Sequence, residues 1–176
     1  LGITTINTSS VCKCMTCSFE YMYFSRVDSF IDGVNVYNTR FKCGVTLYNE
    51  HPVDADVVIG VPESGNTAAL GFSKASSIPI TTGFVKNNFL GRSFIKPSQS
   101  KRCETVSLKL NVIKENVKNK KVVVVDDSII RGTTCKKIVY LLKAAGAKEI
   151  HYRVASPIVT SPCCLGINTS KSELLA

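Results

Sequence analysis

Val122-Val123-Val124-Val125-Asp126-Asp127-Ser128-Ile129-Ile130-Arg131-Gly132-Thr133-Thr134 decides how this chain is read. Four apolar β-branched residues in a row show no polar alternation, the pattern of a parallel strand covered on both faces. Two adjacent acids end the run. Arg131-Gly132-Thr133-Thr134 then reads as a glycine-containing turn that aims backbone N–H groups at an anion, at the start of a helix. Asp126 and Asp127 stand between the two, where the hydroxyls of a phosphate-bearing sugar and a magnesium ion would lie. The plainer alternative is a generic strand–turn–helix of any doubly wound fold, with Asp-Asp merely ending a strand.

Working outward, Asp56-Val57-Val58-Ile59-Gly60-Val61 is a second buried strand, ended by Pro62-Glu63-Ser64-Gly65. Thr67 to Lys74 reads as a helix with Ala68, Ala69 and Leu70 on its packed side. Val36 to Tyr48 fits a helix, and Phe19 to Phe24 a strand or a packed edge segment. Ile78-Pro79-Ile80 starts a short strand, and Val106 to Val117 suggests a short helix. Thr133 or Thr134 caps a helix with Ile138, Leu141, Leu142 and Ala145 on one face, stopped by Gly146. Glu149 to Ser156 is a further strand, while His51 and His151 stand in no motif. Strands separated by helices imply an α/β fold with a mostly parallel twisted sheet flanked by helices. Pro62-Glu63-Ser64-Gly65 alone is an ordinary β-turn. Beside the Asp126 segment it becomes the second wall of a crevice at the carboxyl edge of the sheet.

The 176 residues, 44% of them hydrophobic, suit one domain with a sizeable core. No window approaches the ~20 apolar residues needed to span a membrane. The start, Leu1-Gly2-Ile3-Thr4-Thr5, lacks both an initiator Met and a signal-peptide pattern, as an excised domain would. Residues 1–18 are polar and cysteine-bearing and read as a connector, leaving 19–176 as the domain. The net charge of +9 favours an acidic partner, either nucleic acid or a polyphosphate substrate. Lys86, Arg92, Lys96, Lys101 and Arg102 share an acid-free stretch. Its aromatics, Phe89 and Phe94, are thin for single-strand binding, and no helix-turn-helix stands apart, so no nucleic acid is expected.

The eight cysteines would suit a secreted disulfide scaffold. The Val-rich strand and the amphipathic segments supply a core without staples, however. A reducing, cytoplasmic setting with mostly reduced thiols is the expectation. No Gly-x-Gly-x-x-Gly follows a strand, which excludes a dinucleotide-binding domain.

The Val122–Thr134 segment resembles the phosphoribosyl pyrophosphate (PRPP) signature of type I phosphoribosyltransferases. Three further segments are similar to the glutamine PRPP amidotransferases within that fold. They are Phe19-Glu20-Tyr21-Met22-Tyr23-Phe24-Ser25-Arg26-Val27-Asp28-Ser29, the stretch from Phe84-Val85-Lys86-Asn87-Asn88 to Pro97-Ser98-Gln99-Ser100, and Ser161-Pro162-Cys163-Cys164-Leu165-Gly166-Ile167-Asn168. The similarity runs from Cys17 onward.

That resemblance implies a type I phosphoribosyltransferase fold with a flexible active-site loop. The implied reaction is displacement of pyrophosphate from C1 of PRPP by ammonia, giving 5-phosphoribosylamine, the first committed step of purine synthesis. Asp126 and Asp127 would contact the ribose hydroxyls and, through them or directly, a magnesium ion shared with Ser64. Ser128, Arg131, Gly132, Thr133 and Thr134 would cradle the 5′-phosphate. Glu63, Ser64 and Gly65 would line the pyrophosphate. The basic loop 86–102 would close over the substrate, with Lys86 and Arg92 facing the departing charge. Where the family loop reads Lys-Asn-Arg-Tyr, this chain has Lys86-Asn87-Asn88-Phe89, so an arginine and a phenol hydroxyl are missing from that clamp.

The resemblance also implies a glutaminase half preceding this one, which supplies ammonia from glutamine, and a homo-oligomer inhibited by purine nucleotides. Cys43-Gly44-Val45 imitates the glutaminase start but is internal, and Cys43 reads as a small buried hydrophobe. One branch of the family holds a [4Fe–4S] cluster. Cys17 and Cys163 match two of its four ligands, and the chain ends before the downstream pair, so an incomplete site is expected. Two rivals remain: a salvage-type phosphoribosyltransferase, sharing the signature but not the 84–100 loop, and a PRPP-binding regulator that holds nucleic acid on its basic face.

Overall fold

A computed structural model describes residues 16–86 and 110–163. Its centre is a three-stranded parallel sheet in the order β3–β6–β7: β3 (Val57–Gly60), β6 (Lys121–Asp126) and β7 (Glu149–Val154). The register pairs Val57 with Val122 and Gly60 with Val125 on one side of β6. On the other it pairs Lys121 with Glu149 and Asp126 with Val154. Ile80 bridges to Val58 in parallel and extends the β3 edge, which is all that forms of the strand expected at Ile78-Pro79-Ile80.

The Val run of β6 behaves as its lack of alternation requires. Val122 and Val124 point to one face, packing with Val117, Ile138, Leu142 and Ala145. Val123 and Val125 point to the other, against Ala68, Ala69 and Phe72. All four valines are fully buried. Helices cover both faces: α2 (Gly65–Ser76) on one, and α4 (Thr133–Ala144) on the other, helped by the short α3 (Lys114–Val117). The layered α/β architecture expected from the sequence is therefore present.

Helix α1 (Val36–Glu50) lies outside α2. Asn35 caps it, its side chain accepting from the Asn38 N–H at 3.0 Å. The helix backbones nearly touch. A Cβ on Gly44 would lie 1.9 Å from the Ala68 carbonyl oxygen, and one on Gly71 2.0 Å from that of Phe41. Cys43 is half-buried rather than fully buried, and burial raises its thiol pKa. A small hairpin of β1 (Phe30–Ile31) and β2 (Val34–Asn35) precedes α1.

Two expectations are corrected. Phe19 to Phe24 is no strand: Glu20–Phe24 forms a π-helical turn. Its backbone carbonyls are gripped from outside by Arg40 of α1, whose guanidinium donates to Tyr21 O at 2.7 Å and to Ser25 O at 2.8 Å. The helix expected over Val106–Val117 is confined, among the described residues, to α3. Leu110–Val112 instead forms β5, paired antiparallel with β4 (Phe84–Lys86). Pairing with a partner distant in sequence overrides the apolar spacing that suggested a helix. The cap of α4 also differs slightly, while its stop does not. Gly132, at φ 69°, takes the N-cap position assigned to Thr133 or Thr134, and Gly146, at φ 88°, follows the last turn as expected.

Candidate active site

Two strand-to-helix turns meet at the carboxyl edge of the sheet. The first joins β3 to α2 through Val61, Pro62, Glu63 and Ser64, with a cis Pro62–Glu63 peptide. It is bound to β6 by the Val61 N–H, which donates to Val125 O at 2.9 Å. Gly65 opens α2 where no side chain fits: a Cβ there would stand 2.5 Å from Val125 O and 3.3 Å from Asp126 Cα. The second turn, Asp127 to Gly132, joins β6 to α4.

The acids lie at the junction of the turns. Asp126 and Asp127 are both buried. Ser64 donates its hydroxyl to Asp127 Oδ2, tying the first turn to the second. Ser128 donates to Asp127 Oδ1 at 2.5 Å. Asp126 Oδ1 accepts the backbone N–H of Asp127 at 2.9 Å, and its Oδ2 accepts the hydroxyl of Tyr152. Burial pushes the Asp126 carboxyl up to about 6. The charge of Asp127 adds to the rise, while the hydrogen bonds from Tyr152 and the Asp127 N–H oppose it.

Of the residues expected at the site, Ser64, Gly65, Asp126, Asp127 and Ser128 are brought into contact. Glu63 is exposed on the first turn, its carbonyl accepting from the Asn66 N–H at 3.3 Å. Arg131 is exposed, and Thr133 and Thr134 are exposed in the first turn of α4. Lys86 is exposed at the end of β4, and Arg92 lies outside the described residues. A cavity of about 310 Å³ borders the first turn, walled by Gly60, Pro62, Asn66, Ile80 and Phe84 among others; neither acid faces it.

Two residues were missed by sequence reasoning. Arg40 is buried, and burial lowers its pKa, opposed by the negative charge of Asp127. It thus pins the Glu20–Phe24 turn while adding positive potential near the acids. Its only sequence signal is a charge among the packed positions of an amphipathic helix. Tyr152 reaches Asp126 from the neighbouring strand. Counting in twos along β6 and β7 puts both on the face of Val122 and Val124, a signal usable once the register is known.

The arrangement suits an anionic sugar. The N-termini of α2 and α4 open on one crevice, where the positive ends of the helix dipoles favour phosphates. Two carboxylates stand between them to accept hydroxyls. The donor set of Ser64, Asp126 and Asp127 is all oxygen, which fits a magnesium ion that takes one or two carboxylates and fills its shell with substrate oxygens and water. Cys17 and Cys163 are exposed, and among the described residues no group of three or more His, Cys, Asp or Glu side chains is placed to hold a metal.

The phosphoribosyl transferase domain family model matches residues 45–156, spanning β3 through β7 with both turns. The chain belongs to this family. Its fold is that of the type I phosphoribosyltransferases. Among curated relatives, it is 52% identical over 161 residues to the amidophosphoribosyltransferase of Archaeoglobus fulgidus, covering 91% of this chain and 35% of that one. The Bacillus subtilis enzyme of the same name is 50% identical over 159 residues, covering 90% of this chain and 33% of that one. The solved glutamine PRPP amidotransferase from B. subtilis, complexed with ADP and GMP, superposes with a TM-score of 0.80 at 49% identity. That match covers 90% of this chain and 35% of the solved one. The chain thus spans about a third of the length of the curated relatives it matches. No helix among the described residues is long and apolar enough to cross a membrane.

Proposed function

We propose that this chain is the phosphoribosyltransferase part of an amidophosphoribosyltransferase, in which ammonia displaces pyrophosphate from C1 of PRPP to give 5-phosphoribosylamine. The observation that carries the reading is the Ser64–Asp127 hydrogen bond, which joins the two helix-opening turns around a pair of buried carboxylates. The similarity to amidophosphoribosyltransferases near 50% identity supports the choice of nucleophile.

In this reading Asp126 and Asp127 grip the ribose 2′- and 3′-hydroxyls. Ser128 to Thr134 cradle the 5′-phosphate through backbone N–H groups, the threonine hydroxyls and Arg131. The displacement builds positive charge on the ribose while pyrophosphate leaves as an anion. The protein's task is therefore to hold the sugar and neutralise the leaving group, with little covalent chemistry of its own. Glu63, Ser64 and Gly65 line the pyrophosphate, and the α2 N-terminus faces it. Magnesium, when bound by Ser64, Asp126 and Asp127 together with substrate oxygens, supplies charge neutralisation of the pyrophosphate. Lys86, together with Arg92 outside the described residues, supplies positive charge to the departing pyrophosphate.

Glutamine is the ammonia source, through a glutaminase part outside this chain. Purine nucleotides inhibit the homo-oligomeric whole, a reading supported by the ADP and GMP of the B. subtilis relative. A reducing cytoplasm suits eight cysteines.

The test is magnesium-dependent PRPP binding by calorimetry, with Asp127→Asn as control, followed by ammonia-dependent pyrophosphate release. Binding that needs magnesium and disappears in the variant is expected; PRPP heat that is identical in the variant would sink the assignment. An iron assay with a visible spectrum, on protein purified anaerobically at its full natural length, tests for a cluster at Cys17 and Cys163. A colourless, iron-free sample removes it.

A further inference from the structure

We infer that Tyr152 is a positioning residue of this site: its hydroxyl, donated from β7 to Asp126 Oδ2, sets the orientation in which Asp126 meets the ribose of PRPP. The inference rests on the PRPP reading above and deepens it.

Asp126 is the last residue of β6, and its side chain has one torsion that would sweep the carboxylate between the crevice and the α4 face. Two donors oppose that rotation. The Asp127 N–H holds Oδ1 at 2.9 Å from within the same chain segment. Among the described residues only Tyr152 holds Oδ2, and it comes from a different strand. The parallel register makes this possible: Tyr152 lies opposite Val124 and Val154 opposite Asp126, so the tyrosine stands one pleat behind the acid on the same face. Its ring is anchored there, half-buried against the cluster that contains Val122, Val124, Ile138 and Leu142. A phenol so held is a rigid arm, with little conformational freedom left to lose when it donates.

The surroundings make this bond important. Asp126 is 5% exposed, so water does not replace a lost donor freely. Asp127 stands beside it with the same charge and cannot donate while ionised. The Cys135 thiol lies in the first turn of α4, where burial and the charge of Asp126 raise its pKa and the Tyr152 hydroxyl opposes the rise. Burial and the two acids raise the Tyr152 pKa, so its hydroxyl stays protonated and available as a donor.

The experiment is Tyr152→Phe, which removes one oxygen atom, made in the protein at its full natural length. It is made alone and combined with Asp126→Asn. Steady-state constants for PRPP and for ammonia are measured with the thermal midpoint of each variant. The KM for PRPP should rise roughly ten-fold, the scale of a lost hydrogen bond to a charged group, while the KM for ammonia stays put. General damage to the fold would move both constants and the midpoint together. In the Asp126→Asn background, Tyr152→Phe should have almost no further effect on PRPP.

A Tyr152→Phe protein with an unchanged KM for PRPP overturns the inference. So does a PRPP effect that persists undiminished beside Asp126→Asn, because the tyrosine would then act without the acid. A wild-type protein that fails to bind PRPP overturns the site reading itself, a different result from either.

Discussion

The two turns that wall the crevice are built on different principles. The β3–α2 turn is held by backbone proximity. Gly65 lies so close to Val125 O that a methyl group has nowhere to go, and Gly60 is nearly as tight, its Cβ position 2.6 Å from Asn66 Oδ1. The β6–α4 turn is held by conformation and by side chains: one left-handed glycine, Gly132, and the hydrogen bonds that surround Asp126 and Asp127. The first turn should therefore fail abruptly on any added atom, and the second should weaken in steps. It also follows that Ser64, on the tight turn, can position Asp127, on the adjustable one, because the tight turn has no freedom to yield.

Gly65→Ala should break the comparison most sharply. Forcing a Cβ against the Val125 carbonyl should destabilise by about 3 kcal/mol, the upper range for overpacking. PRPP affinity should fall about 100-fold as Ser64 shifts, since small misplacements at a site have large effects. Thermal melts and PRPP calorimetry read both, and a well-folded variant with native affinity would refute the idea that backbone contact sets this turn.

Asp126→Asn tests the other turn through pH. The carboxyl is pushed up to about 6 from an ordinary value of 3.8, so the fold disfavours its ionised form. The penalty is complete above pH about 6 and vanishes as pH falls toward 4. Without magnesium or substrate, the variant should be more stable than wild type by about 3 kcal/mol at pH 7. The gain should shrink on acidification and be gone near pH 4. A gain independent of pH would refute the assignment.

Ser64→Ala removes the link between the turns. A lost hydrogen bond to a buried carboxylate should lower stability by about 1.5 kcal/mol, seen as a reduced denaturant midpoint with an unchanged slope. Gly132→Ala should have the smallest effect, about 1 kcal/mol of left-handed strain, with PRPP binding weakened only a few-fold. If it proved as damaging as Gly65→Ala, the distinction between the two turns would collapse.

Much of this site was legible in the chain itself. The valine run reads as a strand buried on both faces, and the paired acids at its end and the small residues after Val61, taken together, read as the two walls of a crevice at the carboxyl edge of the sheet. The helix expected over Val106–Val117 failed because Leu110 and Val112 have an apolar spacing that serves a strand equally well, and only the partner strand at Phe84–Lys86 decides between them. The strand reading of Phe19–Phe24 failed because the π-helical turn there is held by Arg40, which reaches it from α1.

The sequence by itself determined the parallel sheet, the position of its ligand edge and the identity of the two acids, because burial and chain reversal are set by neighbouring residues. What only the tertiary structure decided is which groups act on those acids. Ser64, Arg40 and Tyr152 come from three other elements, and their influence depends on strand register and helix approach. Those are products of long-range packing, in which every residue depends on partners far away along the chain.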